Sequence, residues 1–361
     1  MDRADVAIVG GGPAGASCAF FCAQAGLRTV VLERETFPRE KVCGDCLNPA
    51  CWPVLRRLGI ADEVKAVPHG RLEKVEFIGI GGARVSISLP VGDGAEIALK
   101  RSLFDHLLLQ RAGNAGAEIL EGAMVTRVEK ARWGDWKIDV VRDKITAPIL
   151  VAADGRNSTV ARLRGLLPAT QRERVALQTH IPLPAGFGNR VVLQLLEEGY
   201  SGQAPVNADE LNLCLVSAGA DIDRLKAWAA IEFKVSSNHP WRTITPLARS
   251  PLGPMHDNLF LIGDVARVVE PFTGEGIYYA LRSGELAAEA IIAIAREENR
   301  QVVLRRFTRQ HRQMYRGRLW VNQMARAAVL SPRIGSAIIR VAKVYPGVLR
   351  QLTRKITGQT S

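Results

Sequence analysis

Residues 6–33, VAIVGGGPAGASCAFFCAQAGLRTVVLE, constrain this chain more than any other stretch. They read in order as strand, glycine turn, helix, strand and acid. Val6–Val9 is an apolar run suited to a buried parallel strand. Gly10, Gly12 and Gly15 form G-x-G-x-x-G. The first glycine permits a sharp turn, the second a close approach to a pyrophosphate, and the third close packing of helix on strand. The helix predicted from about Ala14 to Ala25 aims its N-terminal N–H groups and positive dipole end at the phosphates. Thr29–Leu32 is the second predicted strand. Glu33 closes it, where a carboxylate accepts both hydroxyls of a ribose. The motif implies a dinucleotide and does not choose between nicotinamide and flavin.

Three later segments make that choice. Residues 259–284 read LFLIGDVARVVEPFTGEGIYYALRSG. Leu259–Ile262 predicts a strand ending in Gly263-Asp264. Pro271, Gly274 and Gly276 form P-x-x-G-x-G, and a helix is predicted from about Ile277 to Ala295. Pro148–Ala153 predicts another strand, followed by Asp154-Gly155-Arg156. Lys100-Arg101-Ser102-Leu103-Phe104-Asp105 opens a further helix. In this order, across about four-fifths of the chain, the segments resemble the FAD-binding oxidoreductases of the aromatic-hydroxylase and geranylgeranyl-reductase group.

The resemblance implies an α/β fold of the GR2 type. Its parts are a Rossmann-like FAD-binding domain, an inserted β-sheet substrate domain and a helical C-terminal tail. It implies FAD contacts at Gly10, Gly12, Pro13, Ala14, Gly15, Glu33, Arg34, Cys43, Gly44, Arg101 and Val125. It adds Asp154, Gly155, Gly263, Asp264, Pro271, Gly274, Glu275, Gly276 and Ile277. Asp264 is implied to hold a ribityl hydroxyl, and Asp154 to lie near the pyrophosphate. The turn at 271–276 sets a helix N-terminus beside the flavin N1–C2=O edge, where a reduced flavin is negative. Arg101 either reaches FAD or is a solvated residue at a helix start. NAD(P)H or another electron donor is implied as reductant, although no separate nicotinamide domain is visible.

The dinucleotide domain is expected to be discontinuous, over residues 1–66, 98–166 and 254–300. Residues 67–97 and 167–253 would form the substrate domain, and 301–361 a basic helical region. Leu72–Leu89 reads as two strands about a Gly79–Gly82 turn. No helical pattern follows that GxGG, so a hairpin is expected rather than a second dinucleotide turn. Val175–Ile181, Arg190–Leu195 and Glu210–Ser217 are three more predicted strands, expected to build a sheet over the flavin. No run of about 18 apolar residues appears, so no membrane-spanning helix is expected. The first strand begins within six residues, which predicts no signal peptide. Six cysteines without a small secreted framework fit a reducing compartment, and a cytoplasmic location is expected.

Residues 37–60, FPREKVCGDCLNPACWPVLRRLGI, resemble the C-G-D segment of geranylgeranyl reductases at Cys43, Gly44 and Asp45. Cys46 stands where that family usually has glycine, which creates C-x-x-C. Three readings compete. The cysteines are small residues near the flavin; Cys43 has a flavin-facing catalytic role; or the pair cycles as a dithiol. Cys51 and His69 are poorly spaced to complete a zinc site, and no metal is expected. Residues 199–205, GYSGQAP, resemble the Y-x-W-x-F-P segment of the reductases. Tyr200 and Pro205 match, and Tyr200 is a candidate pocket residue. Gly202 and Ala204 replace the aromatics, which puts isoprenoid specificity in doubt. Halogenation is disfavoured, because W-x-W-x-I-P and a matching lysine are absent. The six histidines form no nucleophile triad, although His180 lies on a strand expected over the flavin. No nucleic-acid motif is present.

The positive charge is local. Residues 296–361 hold fifteen basic and two acidic residues, against a net +12 for the whole chain. Ile334, Ile338, Val341, Tyr345, Leu349, Leu352 and Ile356 share one side of a helix at 100° per residue. Arg333, Arg340, Lys343, Arg350 and Arg354 lie mostly opposite, and Pro346-Gly347 divides the segment. The stripe is expected to pack on the catalytic domain. The alternative is that residues 330–361 contact an anionic membrane surface, as a peripheral protein at the inner membrane. The leading expectation is a geranylgeranyl-reductase-like enzyme moving hydride from reduced flavin to a double bond of a small hydrophobic substrate. A monooxygenase using NAD(P)H and O2 on an aromatic or polyketide-like substrate is the second. A flavin electron carrier docking at a membrane is the third.

Overall fold

Three strands are buried along their whole length: Val6–Val9, Thr29–Leu32 and Ile149–Ala152. Runs buried on both faces suit a parallel sheet covered on each side. The computed structural model describes residues 2–132, 134–141, 143–168, 174–236, 238–269, 274–316 and 331–344. In it the three strands centre a six-stranded sheet. The order is Met255–His256, Leu259–Leu261, Ile149–Ala152, Val6–Val9, Thr29–Leu32, Glu118–Leu120. All neighbours are parallel except the outer pair at 255–261. Val9 aligns with Leu32 on one side and Ala152 on the other. The C-terminal strand ends therefore meet at the glycine turn, where open α/β sheets bind ligands.

Helix Pro13–Gln24 leaves that turn with proline in its first turn. A Cβ on Gly15 would lie 1.8 Å from the Gly10 carbonyl oxygen, so no other residue lets the helix start this close to the strand. The long helix Gly276–Ala295 crosses it through small side chains. Ser17 Oγ donates to the Leu281 carbonyl at 3.0 Å.

A second sheet has seven strands, mostly antiparallel. Its order is Arg242–Ile244, Val175–Pro182, Glu210–Ser217, Gly199–Pro205, Arg190–Leu196, Lys74–Ile78, Arg84–Ser88. Period-two alternation divides it into two faces. One face sends Leu177, Leu211, Leu213 and Leu215 against Leu225 and Ala229 of helix Ile222–Phe233. On the other face Gln178, Cys214, Gly202, Leu193 and Phe77 fall in register across five strands. The hairpin expected at 72–89 is present, with Lys74 opposite Ser88. The strand Gly199–Pro205 was not expected from the sequence, yet it lies at the middle of the sheet.

Two helices of the tail are described. Arg300–Met314 buries Val303 and Phe307, whose ring lies tilted 5.2 Å from that of Phe260. Pro332–Val344 lies across the open end of the seven-stranded sheet. Its contact face is Gly335, Ser336 and Ile339, not the expected stripe. Ser336 Oγ accepts the Ile80 N–H at 2.8 Å, and Ile339 joins Val85, Ile87, Tyr200 and Val216. Ile334, Ile338 and Val341 are 61%, 42% and 60% exposed. The packing expected of these three is thus corrected. The small face of the helix, set against Gly79, allows the closer approach. Tyr345, Pro346, Gly347, Leu349, Leu352 and Ile356 lie outside the described residues. Among the described residues no helix is long and apolar enough to cross a membrane.

Candidate active site

Between the two sheets lies a cavity of about 770 Å³. Its polar end is built on the glycine turn. Glu33 is buried, and its carboxylate accepts the Gly11 N–H at 2.7 Å and the Glu35 N–H at 3.0 Å. These two bonds fix the turn while leaving lone pairs free. A Cβ on Gly12 would meet only Arg39 Nη2, at 3.6 Å, so the turn is open on the cavity side. A Cβ on Gly263 would lie 3.1 Å from that of Ala14, which brings the second motif onto the first.

A wall of cations faces this turn. Asp105 is fully buried, accepts from Arg101 Nε and Nη2 at 2.7 Å, and forms an ion pair with Arg39 Nη1 at 3.0 Å. Arg101 is therefore a buried cavity residue, not a solvated helix start. Lys41 Nζ lies 3.8 Å from the Cβ position of Gly155. Burial, then repulsion from Arg39, Arg101 and Arg156, lowers its ammonium to about 8, with Asp264 opposing. Arg156 donates to Asp264 at 3.1 Å. Asp154 caps the helix Thr159–Leu163 through the Thr159 and Val160 N–H groups. Its other oxygen, and Arg156 Nε, are buried without partners. An open backbone turn, several cations and these two unpaired atoms fit the pyrophosphate and ribityl chain of FAD.

The loop Cys43–Gly44–Asp45 reaches the sheet face. Asp45 Oδ2 lies 2.8 Å from His180 Nε2, and both side chains are buried. Burial raises Asp45 to about 6, while the His180 bond and charge pull it down. Gln178 donates to Asn212 Oδ1 at 3.0 Å, and Asn212 Nδ2 donates to the Cys43 carbonyl at 2.9 Å. The loop is thus pinned from two strands. All six cysteines are free thiols. Burial pushes Cys43, Cys46 and Cys214 upward, which disfavours the thiolates that dithiol exchange requires.

The far end of the cavity is apolar, with Val75, Phe77, Leu193, Tyr200 and Val216 among its walls. Tyr200 is buried beside the tail helix. Gly202 and Ala204 face the same space, and a Cβ on Gly202 would meet nothing closer than 3.7 Å.

The cavity brings most of the expected residues together: Gly10, Gly12, Pro13, Ala14, Glu33, Arg34, Cys43, Gly44, Arg101, Val125, Asp154, Gly155, Tyr200, Gly263, Asp264, Gly274, Gly276 and Ile277. Arg34 is exposed at its rim beside Glu35. Gly15 and Glu275 sit behind it as packing residues, with Glu275 accepting from Tyr279 at 3.2 Å. Pro271 lies outside the described residues. Sequence reasoning missed Arg39, Lys41 and Glu96, and the contact of His180 with Asp45. The basic spacing at Arg39 and Lys41 was the one available signal. Among the described residues no group of histidine, cysteine and carboxylate side chains is arranged to hold a metal.

Residues 3–182 match the FAD binding domain family. The chain is 29% identical over 320 residues to menaquinone reductase of Mycolicibacterium smegmatis, covering 80% of this chain and 76% of the relative. It is 31% identical over 311 residues to geranylgeranyl diphosphate reductase of Rhodobacter capsulatus, covering 80% and 75%. Conditioned medium factor receptor 1 of Dictyostelium discoideum is 27% identical over 341 residues, and the chain spans 64% of its length. Two solved structures share the fold. The flavin-dependent brominase Bmp2 superposes with a TM-score of 0.80 at 21% identity, over 99% of this chain and 94% of that one. PqsL of Pseudomonas aeruginosa, described as a probable FAD-dependent monooxygenase, gives 0.77 at 19%, over 93% and 99%. The chain is a flavin-dependent oxidoreductase and belongs to the geranylgeranyl reductase and FAD-binding monooxygenase group.

Proposed function

We propose that the protein is an FAD-dependent reductase that saturates a carbon–carbon double bond of a hydrophobic, prenyl-lipid-like substrate. The observation that carries this reading is one continuous cavity, basic at the glycine turn and apolar along the sheet face. FAD, when bound and reduced, supplies hydride. The chain's own residues hold and orient. Arg39, Lys41, Arg101 and Arg156 would neutralise a bound pyrophosphate, and the N-terminus of helix Gly276–Ala295 would favour negative charge on the flavin. Val75, Phe77, Leu193 and Tyr200 exclude water from the reacting carbons. The named activities of the menaquinone and geranylgeranyl relatives support this class. The electron donor is proposed to be NAD(P)H or another two-electron donor.

The test is anaerobic. Holoenzyme reduced with dithionite is mixed with menaquinone or geranylgeranyl diphosphate, and products are read by mass spectrometry. A gain of two hydrogens on the prenyl chain, retained after the quinol is reoxidised in air, supports the reductase. Incorporation of label from labelled dioxygen, after O2 is admitted, supports the monooxygenase instead.

The tail supports a second reading, a peripheral site on an anionic membrane. Ile334, Ile338 and Val341 are exposed beside the exposed Arg333 and Arg340, on a helix whose other face shares an apolar cluster with Tyr200. Each basic residue near such a surface contributes about 1 kcal/mol. Co-sedimentation with phosphatidylserine vesicles should be lost at high salt, and lost when the three apolar residues become serine. Equal sedimentation with neutral vesicles would refute it.

A further inference from the structure

Glu96 stands apart from every other charged side chain of the cavity. It precedes the short strand Ile97–Ala98, which pairs with Cys46–Leu47 on one side and Gly70–Arg71 on the other. Its carbonyl accepts the Leu72 N–H at 3.3 Å. With its backbone held, its side chain lines the cavity. Oε1 comes within 4.0 Å of the Cβ position of Gly274, in the turn that leads into helix Gly276–Ala295. That turn is where the flavin edge is expected. Leu72 and Ala98, its neighbours along the strand pair, belong to an apolar cluster with Leu89, Val191 and Ala204. Among the described residues no cation or hydrogen-bond donor reaches the carboxyl.

Resting on the reductase reading, we propose that Glu96 is a catalytic acid. Its protonated carboxyl gives a proton to one carbon of the substrate double bond while the other carbon receives hydride. The π bond breaks and two C–H bonds form. Both electrons arrive with the hydride, and an external two-electron donor of the nicotinamide class restores the reducing equivalent. Glu96 is left as a carboxylate and regains a proton from water.

The surroundings suit the role. Burial alone raises Glu96 to about 7, so a large fraction is protonated at neutral pH. The titratable neighbour is Cys46, whose thiol burial holds well above its ordinary value, so it stays neutral and does not compete. Asp45, the residue before Cys46, is engaged with His180.

Two measurements test the proposal. The first needs no substrate. Infrared difference spectra of the oxidised holoenzyme should show the carbonyl stretch of a protonated carboxyl that titrates near 7 and is missing in Glu96→Gln. The second reads turnover. Glu96→Gln should keep its FAD and lose roughly 100-fold in reduction of menaquinone or geranylgeranyl diphosphate, and Glu96→Asp should recover part of that loss. Absence of the carboxyl signal at neutral pH overturns the proposal. So does a Glu96→Gln enzyme that turns over like the parent. A parent enzyme that reduces neither probe removes the reductase reading, and the donor step with it, even where the carboxyl signal persists.

Discussion

The two ends of the cavity are built by opposite means. At the glycine turn, specificity is local: one strand, one turn and one helix within residues 6–33 set the backbone, and charges from nearby segments complete it. Along the seven-stranded sheet a run of consecutive strands at 190–217 is joined by strands from elsewhere in the chain. Gln178, Cys214, Gly202, Leu193 and Phe77 meet because five strands share one register. The first end recognises phosphate and ribose, whose chemistry is fixed. The second offers shape and a lone acid. A fold of this kind can therefore keep its cofactor while its substrate changes.

The largest expected effect is at the local end. Gly15→Val puts a side chain where even a Cβ would sit 1.8 Å from the Gly10 carbonyl oxygen. The Gly10 backbone and the Ala153 Cβ, 3.2 Å away, leave no room for relief, so the loss should be about 4 kcal/mol or more. Expression should yield no soluble yellow protein. A folded, FAD-bearing Gly15→Val would break the claim that this end is rigidly specified.

A substitution on the sheet face should separate the two ends. In Gly202→Phe the first side-chain atom meets Leu193 and Cys214 only at 3.7 and 3.9 Å, so the strand is not strained. The ring would fill the apolar end. FAD content should be unchanged, while KM for a prenyl substrate rises on the order of tenfold, the worth of about 1.4 kcal/mol. Loss of FAD together with turnover would show that the ends are not independent.

The smallest effect is a pH dependence. Burial and the neighbouring arginines lower Lys41 from 10.5 to about 8 before the cofactor arrives. A pyrophosphate favours the charged ammonium and raises that value. FAD binding should then take up a proton above pH of about 8, and affinity should fall as pH rises through that window. Below it Lys41 is already charged and affinity is level. Lys41→Met should bind FAD roughly tenfold more weakly, as expected for one charge-assisted bond, and lose the slope. Calorimetry in buffers of different ionisation heat reads both. A slope that survives in Lys41→Met would assign it to another group.

These differences also explain what the sequence disclosed. Val6–Val9, Thr29–Leu32 and Glu210–Ser217 were legible because each carries its own apolar run. Gly199–Pro205 was not, since GYSGQAP has neither alternation nor β-branched residues; its neighbours on either side make it a strand. Glu96 gave no signal, because a single carboxylate before a two-residue strand resembles any surface acid. His180 and Asp45 are 135 residues apart, and only the register of Val175–Pro182 brings them together. The tail helix misled for a different reason. Hydrophobic periodicity finds the greasiest face, whereas close approach favours the smallest, and Gly335 and Ser336 supply it.

Ile339 and Tyr200 belong to one apolar cluster, although one lies in the tail helix and the other in the middle of the chain. The last described helix therefore backs the cavity from outside, sharing a cluster with residues that line it while lining none of the space itself. Exchanging that helix for another of different girth would recast the cavity at Tyr200 without disturbing the backbone that grips phosphate.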